Sequence, residues 1–226
     1  MISVIHPSRG RPELAFDTMV SKWLLKNDSG KNIQYIVSVD EDDPELYKYK
    51  YWFTEVCEGI GFVVNPNKSA IDAINNAAKI ATGDLLVVIS DDMDCPERWD
   101  TLLLEAIGDK QDFCAKTSDG HQDWLITLPI LDRTFYNRFG YVYHPDFKHM
   151  HCDLDLTCRA WMLDRYIELP LTFKHNHYSL TGQQPDEINR RNNATWGHGR
   201  MTFNERLARN FDLAGGLKPL PILPKY

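Results

Sequence analysis

The sequence predicts an α/β fold, a mainly parallel central sheet flanked by helices, followed by an irregular C-terminal half. Three observations carry this. Short apolar, β-branched runs alternate with helical stripes through the first half. The runs end in clusters of polar and acidic residues. The second half loses the alternation. In open α/β sheets, ligands bind in the crevice beyond the carboxyl ends of the strands, so the polar clusters are where function is expected.

In order, Ile2 to Ile5 is a short strand, followed by the loop His6-Pro7-Ser8-Arg9-Gly10-Arg11-Pro12. Phe16, Met19, Val20, Trp23 and Leu24 recur at helical spacing. Ile33 to Val39 reads as a second strand ending in Asp40-Glu41-Asp42-Asp43-Pro44, and Glu45 to Glu55 as a helix. Gly61 to Val64 is a third strand, closed by Asn65-Pro66-Asn67. Ala70, Ile71, Ile74, Ala77, Ala78 and Ala81 form a helical stripe with Gly83 as its stop. Leu85 to Ile89 is a buried strand, and Pro96 is expected in the first turn of a helix marked by Trp99, Leu102, Leu103, Ala106 and Ile107.

Beyond that, Phe113 to Thr117 and Trp124 to Leu131 read as strands and Asp132 to Phe139 as a short helix. Asp153 to Asp164 is helical by period. Ile167 to Phe173 is strand-like, and Pro170 puts it at an edge. Residues 215–226, with Gly-Gly and three prolines, are expected to wrap the surface without regular structure.

The 226 residues suit one α/β domain, and 43% hydrophobic with 25% charged residues argues against disorder. No apolar run approaches the ~18 residues of a membrane span. MISVIHPSRGRP has no apolar core of the signal-peptide kind. Five cysteines, an odd number without paired metal spacing, predict reduced thiols and a cytoplasmic location. The net charge of −7 is uneven: from Tyr178 onward there are seven Lys/Arg against four Asp/Glu. An acidic body binds nucleic acid poorly, while Arg190, Arg191, Arg200, Arg206 and Arg209 keep such a partner open.

Five clusters can carry chemistry. Arg9 and Arg11 suit a diphosphate through charge-assisted bonds, or merely flank a solvated turn. Asp40, with Asp42, can accept from a base N–H or ribose hydroxyl, or serve as a turn residue. Asp91, Asp92 and Asp94 put three carboxylates within four residues, a repulsion that a divalent cation relieves; Asp94 also fits a simple helix N-terminal box. Asp153, near a helix start, is expected to be held anionic by the helix dipole, as a base or as a cap. His175 and His177 would face opposite sides of a continuing strand, so only one is expected to reach a site.

Taken as a set, these stretches resemble a GT-A glycosyltransferase, close to the inverting family 2 type, over about residues 1–180. ISVIHPSRGRPE resembles that family's opening strand and loop, and VSVDEDDP its second-strand nucleoside contact. NKSAIDAINNAAKIATGDLLVVISDDMDCPERW resembles its helix, strand and metal motif, and HCDLDLTCRAW the stretch bearing its base. The resemblance implies a Rossmann-like GT-A domain over 1–226. Residues 1–110 would be the nucleotide-sugar-binding half, 111–180 the acceptor and catalytic half, and 181–226 a C-terminal helix and tail.

It further implies that Pro7, Ser8, Arg9 and Arg11 line the diphosphate site and that Asp40 contacts the base, typically uracil. Asn67, Ser69 and Asp91 complete the nucleotide-sugar set, with Asp91 on ribose or sugar. Asp92 would coordinate Mn²⁺ or Mg²⁺, joined by His175 or His177, and Asp153 would deprotonate the acceptor. The implied activity moves one sugar from a nucleotide sugar, a UDP-sugar first, with inversion. The acceptor would be a saccharide, lipid-linked glycan, protein or modified nucleic-acid base. Trp196, Tyr178, Trp124 and Phe203 are candidates to stack on a sugar ring.

Three departures stand out: Cys152 precedes the base where the family carries Glu, Ser90 replaces an acid, and the Gln/Arg-x-x-Arg-Trp signature of processive synthases is missing. Three other readings compete. A sugar-1-phosphate nucleotidyltransferase would need a glycine-rich first loop. A metal-dependent phosphohydrolase would use His149, His151, Asp153, Asp155 and the aspartate pair. A non-catalytic nucleotide-sugar binding protein would bind donor without turnover.

Overall fold

Apolar side chains alternate along the strands and so fill both faces of one sheet. The computed structural model describes residues 1–28 and 32–221. Strands β1 (Ile2–Ser8), β2 (Ile33–Asp40), β3 (Gly61–Asn65) and β4 (Leu85–Val88) are mutually parallel, with β1 between β2 and β4. The chain therefore builds outward from β1 to β3, then returns to start β4 on the other side. That reversal opens a crevice at the carboxyl ends of β1 and β4.

Helix α1 (Pro12–Asp17) runs on as π-helical turns over Thr18–Leu24, and α2 (Leu46–Lys50) likewise over Tyr51–Val56. With α4 (Trp99–Ile107) they cover one face, where Val4, Val37 and Val87 meet Met19, Trp23, Tyr49 and Leu103. On the other face Ile5, Ile36 and Leu86 meet Ile71, Ile74 and Ala77 of α3 (Ala70–Ile80). Gly83 does more than stop α3. A Cβ there would lie 2.6 Å from the Ser3 amide nitrogen, so only glycine lets this turn pass β1.

The sheet continues through β6 (Cys114–Ser118), β7 (Ile130–Asp132) and β8 (Tyr166–Thr172) in the order β3-β2-β1-β4-β7-β6-β8. Only β7 runs antiparallel to its neighbours. β8 is an edge strand, where Pro170 is tolerated. A separate two-stranded ribbon pairs β5 (Met93–Asp94) with β9 (Lys174–His175). Helices α5 (Arg133–Asn137), α6 (Cys152–Met162), α7 (Tyr178–Thr181), α8 (Glu187–Asn193) and α9 (Trp196–Ala208) complete the chain.

Several expectations need correction. The strand expected from Trp124 shrinks to β7. Before it, backbone groups are satisfied by side chains instead of a ladder: the Ile126 amide donates to Thr157 Oγ1 and the Trp124 carbonyl accepts from the Tyr166 hydroxyl. Pro96 lies ahead of α4, because Arg98 takes a left-handed turn and the helix begins at Trp99. β1 extends past Ile5 to Ser8. Its pairing with β4 ends at Ile5, so Pro7 costs no ladder bond there.

Phe203 is core, packed on Phe211, and Arg206 is buried, so neither is available to a sugar or a nucleic acid. The tail over 215–221 is irregular; residues 222–226 lie outside the described residues. Among the described residues, the five cysteines are free thiols and no helix is long and apolar enough to cross a membrane.

Candidate active site

The ends of β1, β2 and β4, the loop before α6, the ribbon and α8 surround one cavity of about 450 Å³. Pro7, Ser8, Arg9, Arg11, Asp40, Ser69, Asp91, Asp92, Asp153, His175 and His177 all line it. Asn67 does not line it; it stands behind, donating from Nδ2 to Asp40 Oδ1 at 2.9 Å.

On the nucleotide side, Arg9 Nη1 donates to Asp40 Oδ2 at 2.6 Å and also to Asp42. The Asp42 bond, against the cost of burial, raises the Arg9 pKa further above its ordinary value, so this side chain is a fixed cation. Ser8 Oγ shares a 2.7 Å hydrogen bond with the Tyr49 hydroxyl, tying the β1 end to α2. Arg11 is turned toward the C-terminal segment. Its Nε and Nη2 donate to the two Asp186 oxygens at 2.8 and 2.7 Å, while Asp91 lies 3.9 Å from Nη1. Both arginines are thus already bonded to carboxylates. Lys68, Lys148 and Arg191 also line the cavity without an ion pair among the described residues.

The two adjacent aspartates are held by different partners. Asp91 is buried and its Oδ1 is 2.9 Å from His6 Nε2, while His6 Nδ1 is 2.7 Å from the Tyr35 hydroxyl. A carboxylate only accepts, so in the neutral ring Nε2 donates to Asp91 and Nδ1 accepts from Tyr35. Asp92 points to the ribbon: His175 Nε2 is 3.3 Å from Oδ2, and Ser90 Oγ donates to Oδ1 at 2.5 Å. Burial pushes the Asp92 carboxyl up, but His175 and Ser90 outweigh it and hold the group well below the usual carboxylate range.

The strand carrying the histidines ends at His175, so the expected alternation stops there. His175 and His177 both line the cavity, their rings 5.3 Å apart. His177 Nδ1 is 2.8 Å from Ser179 Oγ. Among the described residues, no three His, Cys, Asp or Glu side chains gather closely enough to hold a metal ion by themselves. One carboxylate and one imidazole fit a divalent cation that takes its remaining ligands from a phosphate-bearing molecule; the carboxylate and phosphates suit Mg²⁺, and the added imidazole favours a transition ion such as Mn²⁺.

Asp153 sits in the first turn of α6, its Oδ1 accepting the Leu154 amide at 2.8 Å. The expectation that the dipole holds its pKa down is overturned. Burial is the largest influence and, against the local amides, pushes the carboxyl up. His149, half-buried near Asp92, His175 and His177, is pushed down to about 4 by the loss of solvent around it.

The loop before α6 is braced from behind. His151 adopts a left-handed conformation, Thr195 Oγ1 accepts the Met150 amide at 3.2 Å, and a Cβ on Gly199 would lie 2.1 Å from the Met150 carbonyl oxygen. Asp155 faces away from the cavity. It is fully buried and takes Arg159 Nε at 2.7 Å and Arg206 Nε at 2.6 Å, which removes it from the phosphohydrolase set.

Sequence reading missed the role of His6, although it stands in the first loop that drew attention. It also missed Asp186 and the α8 wall. Nothing local marks these: their partners lie 85 and 175 residues away.

The fold has counterparts among solved structures. The mannosyltransferase PcManGT from Pyrobaculum calidifontis, solved with GDP-Man and Mn²⁺, superposes with a TM-score of 0.60 at 15% identity, covering 77% of this chain and 56% of its own. S. aureus TarS 1–349, solved with UDP, superposes at 0.61 and 15% identity, covering 76% and 59%. No family model matches the chain, and no curated protein matches it in sequence. The fold is that of the GT-A-like glycosyltransferases, and the chain spans little more than half the length of these neighbours.

Proposed function

We propose that the protein is a metal-dependent glycosyltransferase that moves one sugar from a nucleotide sugar, a UDP-sugar first, to an acceptor hydroxyl with inversion. The observation that carries this reading is the shared cavity. Arg9 and Asp40, the Asp92–His175 pair and Asp153 line one hollow at the switch point of a GT-A-like sheet. The neighbours' complexes with GDP-Man and Mn²⁺ and with UDP support the same ligand class.

In this reading Asp40, fixed by Asn67 and Arg9, accepts from the base, and Asp91, oriented by His6, meets ribose or sugar hydroxyls. Asp92 and His175 would hold Mn²⁺ or Mg²⁺, which when bound offsets charge on the departing diphosphate. Lys68 and Arg191, without an ion pair among the described residues, add positive charge on the same side. Asp153 receives the acceptor proton as the oxygen attacks the anomeric carbon from the opposite face. Its raised affinity for a proton suits that task. The acceptor classes remain saccharide, lipid-linked glycan and protein; with Arg206 buried, the acidic body disfavours nucleic acid. Free thiols suit a cytoplasmic setting.

The test is a thermal-shift and calorimetric screen of UDP-sugars and GDP-mannose with and without Mn²⁺. A ligand that binds only the folded state raises its stability. Binding that strengthens with Mn²⁺, and loses that gain in Asp92→Ala, is expected. Equal affinity with and without the metal would overturn the metal assignment, and no binding of any nucleotide sugar would overturn the function.

A further inference from the structure

Helix α8 follows the ribbon as part of the C-terminal segment, yet Ile188, Asn189, Arg191, Asn192 and Asn193 line the cavity. It is pinned at both ends. At its start Asp186 bonds Arg11 and caps the helix, and Ile188 Cδ1 lies over Gly10, 3.7 Å from where a Cβ would stand. Past its end Thr195 receives the Met150 amide, three residues before Asp153. So α8 runs from the arginine loop of β1 to the loop carrying the proposed base. Its last turn lines the cavity beside that loop, on the side where the reacting end of the donor's sugar ring would lie.

Two asparagines, Asn192 and Asn193, form that last turn. The Asn192 side chain has no hydrogen-bonding partner among the described residues. Asn193 Nδ2 donates to the Tyr178 hydroxyl at 2.7 Å, and its Oδ1 has no partner among the described residues. A primary amide both donates and accepts, so it can meet a ring hydroxyl in either sense. It is also neutral, and does not add to the charge of a cavity that already holds Asp40, Asp91, Asp92 and Asp153.

We propose that Asn192 and Asn193 bind hydroxyl groups of the donor's sugar ring, making α8 the wall that selects among nucleotide sugars. The proposal rests on the nucleotide-sugar reading above. It gives the C-terminal segment a part in donor choice as well as in closing the cavity.

The experiment compares wild type with Asn192→Ala, Asn193→Ala and the double variant. Affinities for UDP, GDP, UDP-glucose, UDP-N-acetylglucosamine and GDP-mannose are measured by calorimetry with Mn²⁺, and melting temperatures report folding. Asn192→Gln, which keeps the amide, is the control should an alanine variant unfold. The expected result is a loss of about tenfold in nucleotide-sugar affinity per lost hydrogen-bond set, with UDP or GDP affinity changed less than twofold. Equal losses on nucleotide and nucleotide sugar overturn the proposal, and so does no change on either. An effect confined to acceptor KM also overturns it. A wild type that binds no nucleotide sugar removes the functional reading itself, a result distinct from these.

Discussion

The two walls of the cavity are held in opposite ways. The wall made by β1, β2 and β4 is wired within the first half of the chain: Asp91 to His6 to Tyr35, Asp40 to Asn67 and Arg9, and Ser8 to Tyr49. The wall made by the loop before α6 and by α8 hangs on ion pairs and close packing from the C-terminal helices: Asp155 with Arg159 and Arg206, Arg11 with Asp186, and Gly199 against Met150. A wall fixed by the sheet suits a constant part of a substrate. A wall attached by later segments can change with the group it must accept. The difference divides the proposed site into a holding side and a fitting side.

The largest expected effect lies on the fitting side. Asp153→Asn keeps the shape but removes the proton acceptor, so turnover falls by roughly 10²–10⁴ with donor affinity retained. Unchanged turnover in steady-state assays would remove Asp153 as base. Next is Asp155→Ala. It leaves two buried arginines without their shared carboxylate, a loss of about 3–5 kcal/mol in denaturant unfolding. A loss below about 1 kcal/mol would mean that the clamp is not what holds α6 to α9.

On the holding side, His6→Phe leaves Asp91 and Tyr35 unsatisfied, costing about 1–3 kcal/mol for each group. It should weaken donor affinity more than it slows turnover of bound donor; the reverse split would blur the two walls into one.

The smallest effect is a pH response of α8. Burial raises the Asp186 carboxyl, but Arg11 and the Asn189 amide outweigh it, so the folded value lies below the ordinary one. The linkage then favours the docked helix above the ordinary carboxylate range near 4 and is lost as pH falls through the depressed value. Hydrogen exchange over 186–193 should therefore quicken below about pH 4 before the sheet does. Simultaneous loss in both regions would show that α8 has no separate attachment.

What the sequence made legible follows the same division. Strands β1 to β4 and helix α3 are marked by local periodicity, and the acids and arginines at their ends stand within a few residues of those marks. The pairing of His175 with Asp92 was legible as a residue type at a strand end, although the end of β9 decides that both histidines face inward. The strand before β7 misread because Thr157 and Tyr166, distant in sequence, take its backbone bonds. The Asp153 carboxyl misread because burial outweighs the local amides, and burial depends on tertiary packing that no local pattern reports. Asp155, read as a possible ligand, turns inward for the same reason: its two cationic partners come from its own helix and from 51 residues later.

The buried Asp155 junction has a practical corollary for engineering. Because Arg206 grips the helix that begins at the proposed base, the last helices cannot be traded between relatives as a detachable cassette unless the grip travels with them. A chimera joined ahead of α9 would inherit either an orphaned carboxylate or a stranded guanidinium. The workable seam lies ahead of α6, so that helix, clamp and tail move together.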